Sequence, residues 1–262
     1  MDTTTSLDRI HDCHINLSDS KKWFNSDLDA SYEKIVDELD NAGIKKAVLI
    51  ALPGACSNET FGLGKINRER FWCFGNLDFT DLKYSIDQII NLELDGVKVH
   101  PRFQNIGIDT LLEMDFINIL EEENLPLMIC GWQQSNSVSI KSLDILYVDE
   151  LAKKHPKLPI IISHLGGYRF WDAYTVTRSN PLVFMDCSYF LHAFKGTSLE
   201  ADFFKMLTTI DQKILYGSDF PEMSIKKYLK YFKSHAKHLE KEKLSNIFYL
   251  NIEKLMNRRM FE

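Results

Sequence analysis

The chain is short of the features that would tie it to an oxidising compartment, a membrane or a polyanion. Its five cysteines, Cys13, Cys56, Cys73, Cys130 and Cys187, are odd in number and widely scattered, and no CxxC pair occurs among them. That argues against a disulfide framework or a Cys-only metal knuckle. Met1 to Thr5 carry neither the basic start nor the apolar core of a secretory signal, so a reduced, cytoplasmic setting is the expectation. The longest apolar runs, such as Ala47 to Leu52, fall far short of the ~20 residues that cross a bilayer. Positive charge is not in excess: 31 Lys+Arg against 37 Asp+Glu leave a net charge of −6. Such a surface gives no general electrostatic reason to bind nucleic acid or an anionic membrane. Lys226, Lys227, Lys230 and Lys233 interleave with Tyr228, Leu229, Tyr231 and Phe232, as on a solvated helix face. No linker rich in Pro, Gly or Ser, no charge block and no short repeat divides the 262 residues,.

What is there is alternation. Short apolar runs occur at Arg9 to Ile15, Lys46 to Leu52, Phe71 to Leu77, Gly96 to Val99, Leu127 to Cys130, Ile160 to Ser163, Leu182 to Cys187 and Lys213 to Gly217. They are apolar on both faces, as strands covered on each side must be. Between them lie helical periods. Tyr32, Ile35, Val36 and Leu39 form one, stopped by Gly43; Leu112, Phe116, Ile119 and Leu120 form another; Leu146, Tyr147 and Leu151 a third,. Leu244, Ile247, Phe248, Leu250 and Leu255 predict a closing C-terminal helix. Eight β-then-α units point to an α/β protein, a (β/α)8 TIM barrel in one domain over residues 1–262, with a doubly wound sheet as the alternative,. In a barrel, the chemistry belongs at the C-terminal ends of the strands.

Those ends are polar. The first run closes with Asp12, Cys13, His14 and Asn16, and the fourth with Lys98, His100, Pro101 and Arg102. The fifth leads to Cys130, Gly131 and Trp132, the sixth to Ser163, His164, Gly166 and Gly167, the seventh to Asp186 and Ser188, the eighth to Ser218 and Asp219. By the two-residue period, Asp12, His14 and Asn16 share one face, as do Lys98 and His100, while Cys13 and Cys187 turn outward. Each residue alone has a plainer explanation. His14 suits a core, Asp219 a helix N-cap, and Cys130 an inert buried thiol. Arg102 suits a solvated loop, and Trp132 and Trp171 packing beneath loops rather than a pocket wall. Their convergence is the stronger signal, because so many polar groups are costly to bury without partners.

Asp-x-His at Asp12 and His14, Gly-Val-Lys-Val-His-Pro at Gly96 to Pro101, Ser-His-Leu-Gly-Gly at Ser163 to Gly167 and Tyr-Gly-Ser-Asp-Phe-Pro at Tyr216 to Pro221 occur in that order. In this the chain resembles the amidohydrolase superfamily, in the amidohydrolase 2 branch of aminocarboxymuconate-semialdehyde decarboxylase-like enzymes. The resemblance implies one divalent metal, usually zinc with manganese as the alternative. It implies ligands from a His-x-His pair, a strand-5 His and the strand-8 Asp, with a strand-6 His assisting. Carried over, His14 is the first His, His164 the strand-6 His and Asp219 the Asp. Asn16 stands in place of the second His, and Cys130 in place of the strand-5 His.

An amide oxygen is a weak zinc ligand, whereas a thiolate is a strong one. A site of His14, Cys130 and Asp219, with Asn16, water or His164 beside it, is one expectation. A metal-free pair of Asp219 and His164 is another. The function expected is a hydrolase that turns metal-activated water on a small carboxylated amide or lactone. Asp219 is then the base, His164 steadies the oxyanion, and Lys98, His100, Arg102 and Trp132 hold the substrate. A decarboxylase on the same site, or a degenerate binding barrel, are the alternatives. The expected partner is the small-molecule substrate, with a homodimer the expected assembly.

Overall fold

The structure is a computed structural model that describes residues 9–18, 20–24, 26–52, 62 and 67–257. Cys56 and the opening residues 1–8 lie outside the described residues. The eight strands are β1 (His11–Leu17), β2 (Lys46–Ala51), β3 (Phe71–Asn76), β4 (Gly96–Val99), β5 (Leu127–Ile129), β6 (Ile160–Ile162), β7 (Val183–Asp186) and β8 (Ile214–Leu215). Each pairs in parallel with the next, in the order β1 to β8. The circle closes where the Cys13 amide donates to the Tyr216 carbonyl at 2.9 Å and Ile15 bridges Phe220 in parallel. The protein is a (β/α)8 TIM barrel, as the alternation predicts.

Two apolar layers follow from the period of two. Outward residues such as Leu49, Val97, Ile160 and Ile214 pack beneath the helices, against Ile35, Leu120, Leu151 and Phe232. Inward residues Val48, Ile50, Phe74, Met128, Ile161, Phe184 and Leu215 fill the lower barrel, with Ile252 and Leu255 of the C-terminal helix Asn251–Met256 beneath them. The helix Tyr32–Ala42 begins at a Ser31 cap and ends at Gly43, whose φ of 71° suits a residue without a Cβ,. The helix expected around Leu112 to Leu120 is broken: Ile108–Leu111 forms one turn and Phe116–Glu122 the next.

One irregularity positions the site. Asp12 pairs with Ala47 and Ile15 with Leu49, so three steps along β1 match two along β2. This bulge turns Cys13 inward, into the barrel cluster with Val48 and Phe74, rather than outward as strict alternation predicts,. His14 follows it into the mouth. Asp12 accepts the amides of His14 at 3.1 Å and Ser218 at 3.0 Å, tying the bulge to the end of β8. Burial raises its carboxyl to about 7. Cys187 does face the helix layer.

Candidate active site

One step above the apolar plug the same strands turn polar. Met128 gives way to Cys130, Ile161 to Ser163, and Phe184 to Asp186 and Ser188, all buried. The backbone bends to present the rest. His164, Tyr189 and Asp219 sit at φ of 56°, 60° and 65°, in the left-handed region that costs a side-chain-bearing residue free energy,. Contacts around the His164 and Asp219 turns hold them. The His164 amide donates to Asp186 Oδ1 at 3.2 Å, and the Gln133 amide donates to the Gly166 carbonyl at 3.0 Å. The Asp219 amide donates to the His14 carbonyl at 2.9 Å. Gly217 allows β8 this approach, because a Cβ there would lie 2.9 Å from His14 Cβ.

Asp186 and Ser188 orient both imidazoles. His14 Nδ1 lies 3.1 Å from Asp186 Oδ2 and 2.9 Å from Ser188 Oγ. His164 Nδ1 lies 3.1 Å from the Ser188 carbonyl and 2.9 Å from the same Oγ. The Ser188 hydroxyl donates its proton to Asp186 and is left to accept,. Every neighbour of the two Nδ1 atoms is therefore an acceptor. Each ring therefore donates from Nδ1, which leaves Nε2 as the position a metal can take, and His14 Nε2 lies 3.4 Å from Asp219 Oδ1,. Burial alone would raise Asp186, but His14, His164 and Lys98 outweigh it and hold the carboxyl well below the usual range.

His14, His164 and Asp219 bring three ligand atoms within 4.8 Å of one another, all buried. Two nitrogens and one carboxylate, with room for solvent or substrate, suit a single divalent ion. Among the described residues this is the group able to hold a metal; it contains His164 where the sequence reading placed Cys130. Cys130 lies to one side, against His100 and His164. Burial would raise its thiol, but hydrogen bonding to those two imidazoles brings it well below its ordinary value. Burial would likewise lower His164, yet Cys130 and Asp219 lift it to about 8. Asn16 turns its amide nitrogen to Asp219 Oδ1 at 2.9 Å and to the Phe220 carbonyl at 3.0 Å. It thereby acts as a donor to the carboxylate, and its Oδ1 has no hydrogen-bond partner.

Lys98 does not face the cleft. It is 0% exposed and lies beneath the floor, with Nζ 2.9 Å from His14 Nε2 and 3.2 Å from Ser163 Oγ. The short β4 puts its even-numbered residue into the barrel axis, below the level at which a substrate enters. Burial first and Lys98 second lower His14, so the ring is neutral and accepts from the ammonium.

Above the floor opens a cleft of about 280 Å³. His164 and Asp219 reach it from below, and His100, Arg102 and Trp132 line it together with Trp23, Phe24, Phe103, Gln134, Tyr189 and Glu222. Arg102 stacks on Phe103, with Cζ 4.1 Å from the ring centre. His100 is buried beside the Cys130 thiol, and burial followed by Lys98 lowers it to about 4. Trp171 is 44% exposed on the helix Phe170–Ser179 and does not line the cleft. Trp23 and Glu222 were missed by the sequence reading. The Trp23 indole donates to Glu222 Oε1 at 2.5 Å, joining the loops after β1 and β8. The adjacent aromatics Trp23 and Phe24 just beyond a polar strand end were the available signal.

A family model described as amidohydrolase, of the amidohydrolase 2 type, matches residues 12–258. No curated protein matches the chain by sequence. Among solved structures, an uncharacterized TIM-barrel protein from Bordetella bronchiseptica superposes with a TM-score of 0.81 at 16% identity, covering 96% of this chain and 99% of that one. A probable 2-pyrone-4,6-dicarboxylic acid hydrolase from Acinetobacter baumannii, with citric acid bound, gives 0.71 at 14% identity over 95% and 99%. A 2,6-dihydroxybenzoate decarboxylase from Rhizobium gives 0.66 at 13% identity over 95% and 98%. At these identities the structural likeness speaks for the fold.

Proposed function

The chain belongs to the amidohydrolase family and is an enzyme, and we propose that it hydrolyses a small carboxylated lactone, amide or related molecule with the help of one divalent ion. The observation that carries this reading is the convergence of His14, His164 and Asp219 at the floor of a cleft. Those three residues hold the ion, which is zinc on the grounds of its nitrogen and carboxylate donors. Once bound, the ion supplies Lewis acidity towards a carbonyl or carboxylate oxygen and makes water a better acid.

The chain's own residues do the rest. Asp219 has one oxygen fixed by Asn16, which leaves the other to take a proton from the attacking water. His164 spends its Nδ1 proton on Ser188 and offers Nε2 to the ion, so it steadies the developing oxyanion through the ion it holds and not by a hydrogen bond of its own,. Arg102 in the cleft wall donates two N–H groups to a carboxylate bidentately, a geometry that ammonium groups do not offer. Trp23, Phe24, Phe103, Trp132 and Tyr189 favour a flat substrate,. The molecules named for two structural neighbours, 2-pyrone-4,6-dicarboxylic acid and 2,6-dihydroxybenzoate, are small, planar and carboxylated.

A decarboxylase is the second reading, favoured by the aromatic walls, which suit a carboxylated ring. One experiment separates the two. The purified chain, supplied with zinc in water enriched in oxygen-18, is incubated with a panel of pyrone carboxylates, lactones, amides and hydroxybenzoates. Hydrolysis places one heavy oxygen in the new carboxyl group, whereas decarboxylation releases carbon dioxide. Absence of both, with zinc bound, overturns the enzyme assignment at this site. The absence of nucleic-acid and membrane features in the sequence leaves the small molecule as the proposed partner, in a cytoplasmic setting. Among the described residues no helix is long and apolar enough to cross a membrane.

A further inference from the structure

Lys98 is among the largest side chains in the protein that are wholly buried. A buried ammonium is expensive unless a carboxylate answers it directly. Here, among the described residues, no carboxylate oxygen lies within 4.0 Å of Nζ; its partners are neutral, His14 Nε2 at 2.9 Å and Ser163 Oγ at 3.2 Å. Burial lowers its amine, and Cys130, Asp186 and Asp219 oppose that only from longer range.

The partner it has taken is informative. His14 Nδ1 is committed to Asp186 and Ser188, so Nε2 holds the only lone pair which that ring can offer,. A divalent ion in the His14, His164 and Asp219 group needs that same lone pair. The two cations cannot share it. Asn16 adds to the effect, because its amide draws on Asp219 Oδ1, the oxygen 3.4 Å from His14 Nε2.

We propose that Lys98 is a built-in competitor for the metal: its ammonium holds His14 Nε2 when no ion is present, and an ion binds only by displacing it. The inference rests on the metal reading of the site and deepens it. Lys98 keeps the polar mouth assembled by supplying a positive charge among Asp186, Asp219 and Cys130, at the cost of weaker metal binding. It is a positioning residue; it touches neither cleft nor substrate. Its consequence is a site that loads and unloads with metal supply instead of one that keeps its ion permanently.

The test is metal affinity. The full chain, stripped with a chelator, is titrated with zinc against a chromophoric chelator of known affinity, as wild type, K98M, K98Q and K98M/D219N. K98M keeps the length of the side chain and removes the charge. Its zinc affinity is expected to rise on the order of tenfold to a hundredfold, since a unit charge a few ångström from the ion is removed. K98Q, which still offers an N–H to His14, falls between K98M and wild type. K98M/D219N loses the gain, which assigns it to this site. Thermal unfolding shows whether the variants fold. A zinc-loaded crystal of the unaltered chain gives an independent reading, in which Lys98 Nζ has left His14 Nε2. Variants that bind zinc no tighter than wild type, or a zinc-loaded site with the Lys98–His14 contact intact, overturn the proposal and leave the metal reading standing. Failure of every form to bind zinc overturns the metal reading, and the proposal with it.

Discussion

The lower and upper halves of the barrel interior are built on the same strands and are both buried, yet they are opposites in chemistry. Val48, Ile50, Phe74, Met128, Ile161, Phe184 and Leu215 fill the lower half. His14, Lys98, Ser163, Asp186 and Ser188 occupy the upper half, each essentially without exposure. A single two-residue step separates Met128 from Cys130 and Phe184 from Asp186. The lower half gains from burial as a core does. The upper half buries polar groups and charges whose mutual hydrogen bonds only offset the loss of water. Stability and function are therefore divided by height along the barrel axis, and substitutions at the two levels should have different consequences.

The largest expected effect belongs to the upper level. D219N removes the base while keeping the shape of the side chain, and turnover of the first substrate identified should fall about 10²- to 10⁴-fold. The unfolding midpoint should move little. A D219N protein that unfolds early but turns over normally per folded molecule would erase the division. F74A tests the lower level from the other direction. Phe74 is fully buried in the plug, and truncation should cost about 3–5 kcal/mol in urea unfolding. Turnover per folded molecule should stay near wild type. D186N is intermediate, because Asp186 reaches the chemistry only through His14 and His164. Loss of such an orienting partner typically weakens metal binding about 10- to 100-fold. Zinc competition with unchanged far-ultraviolet dichroism is the measurement, and unaltered zinc affinity would remove Asp186 from the orienting role.

The two levels were not equally legible in the sequence. All eight strands were visible because each is a short run of apolar residues between helical periods, and their bounds shift by only a residue or two. His14, His164 and Asp219 could be picked out because motif and strand end coincide there. The bulge at Asp12 to Ile15 could not: an extra residue in a strand leaves no mark in the string Asp-Cys-His-Ile, and it reversed the expected direction of Cys13. Lys98 and His100 share a face in the pattern, but only the folded depth of β4 tells which lies under the floor and which lines the cleft. Trp23, Tyr189 and Glu222 come from loops whose paths depend on tertiary contacts.

A second polar cluster, on the outer surface, completes the contrast and carries the smallest prediction. Glu200 begins the helix Ser198–Thr209 and accepts the Tyr231 hydroxyl at 2.6 Å, the Gly196 amide at 2.6 Å and faces His235 Nε2 at 2.8 Å. Unlike Asp186 it is 22% exposed at the side chain, and it lies outside the cleft. The Tyr231 hydrogen bond, then the Gly196 amide and His235, lower it from 4.5 to about 2. The unfolded chain then takes up this proton at a higher pH than the folded one. The stabilisation is fully present above about pH 4.5, shrinks as the pH falls, and is gone once the pH has dropped through about 2,. At neutral pH an exposed cluster of this kind is worth less than about 1 kcal/mol after screening by water and salt. E200Q should be less stable than wild type by that small amount near neutrality, and the two should converge as acid is added. A difference that stays constant from about pH 5 down to about pH 3 would show that Glu200 owes its place to packing rather than charge. Turnover should be the same in both proteins at neutral pH, because a polar group outside the barrel mouth has no path to the cleft.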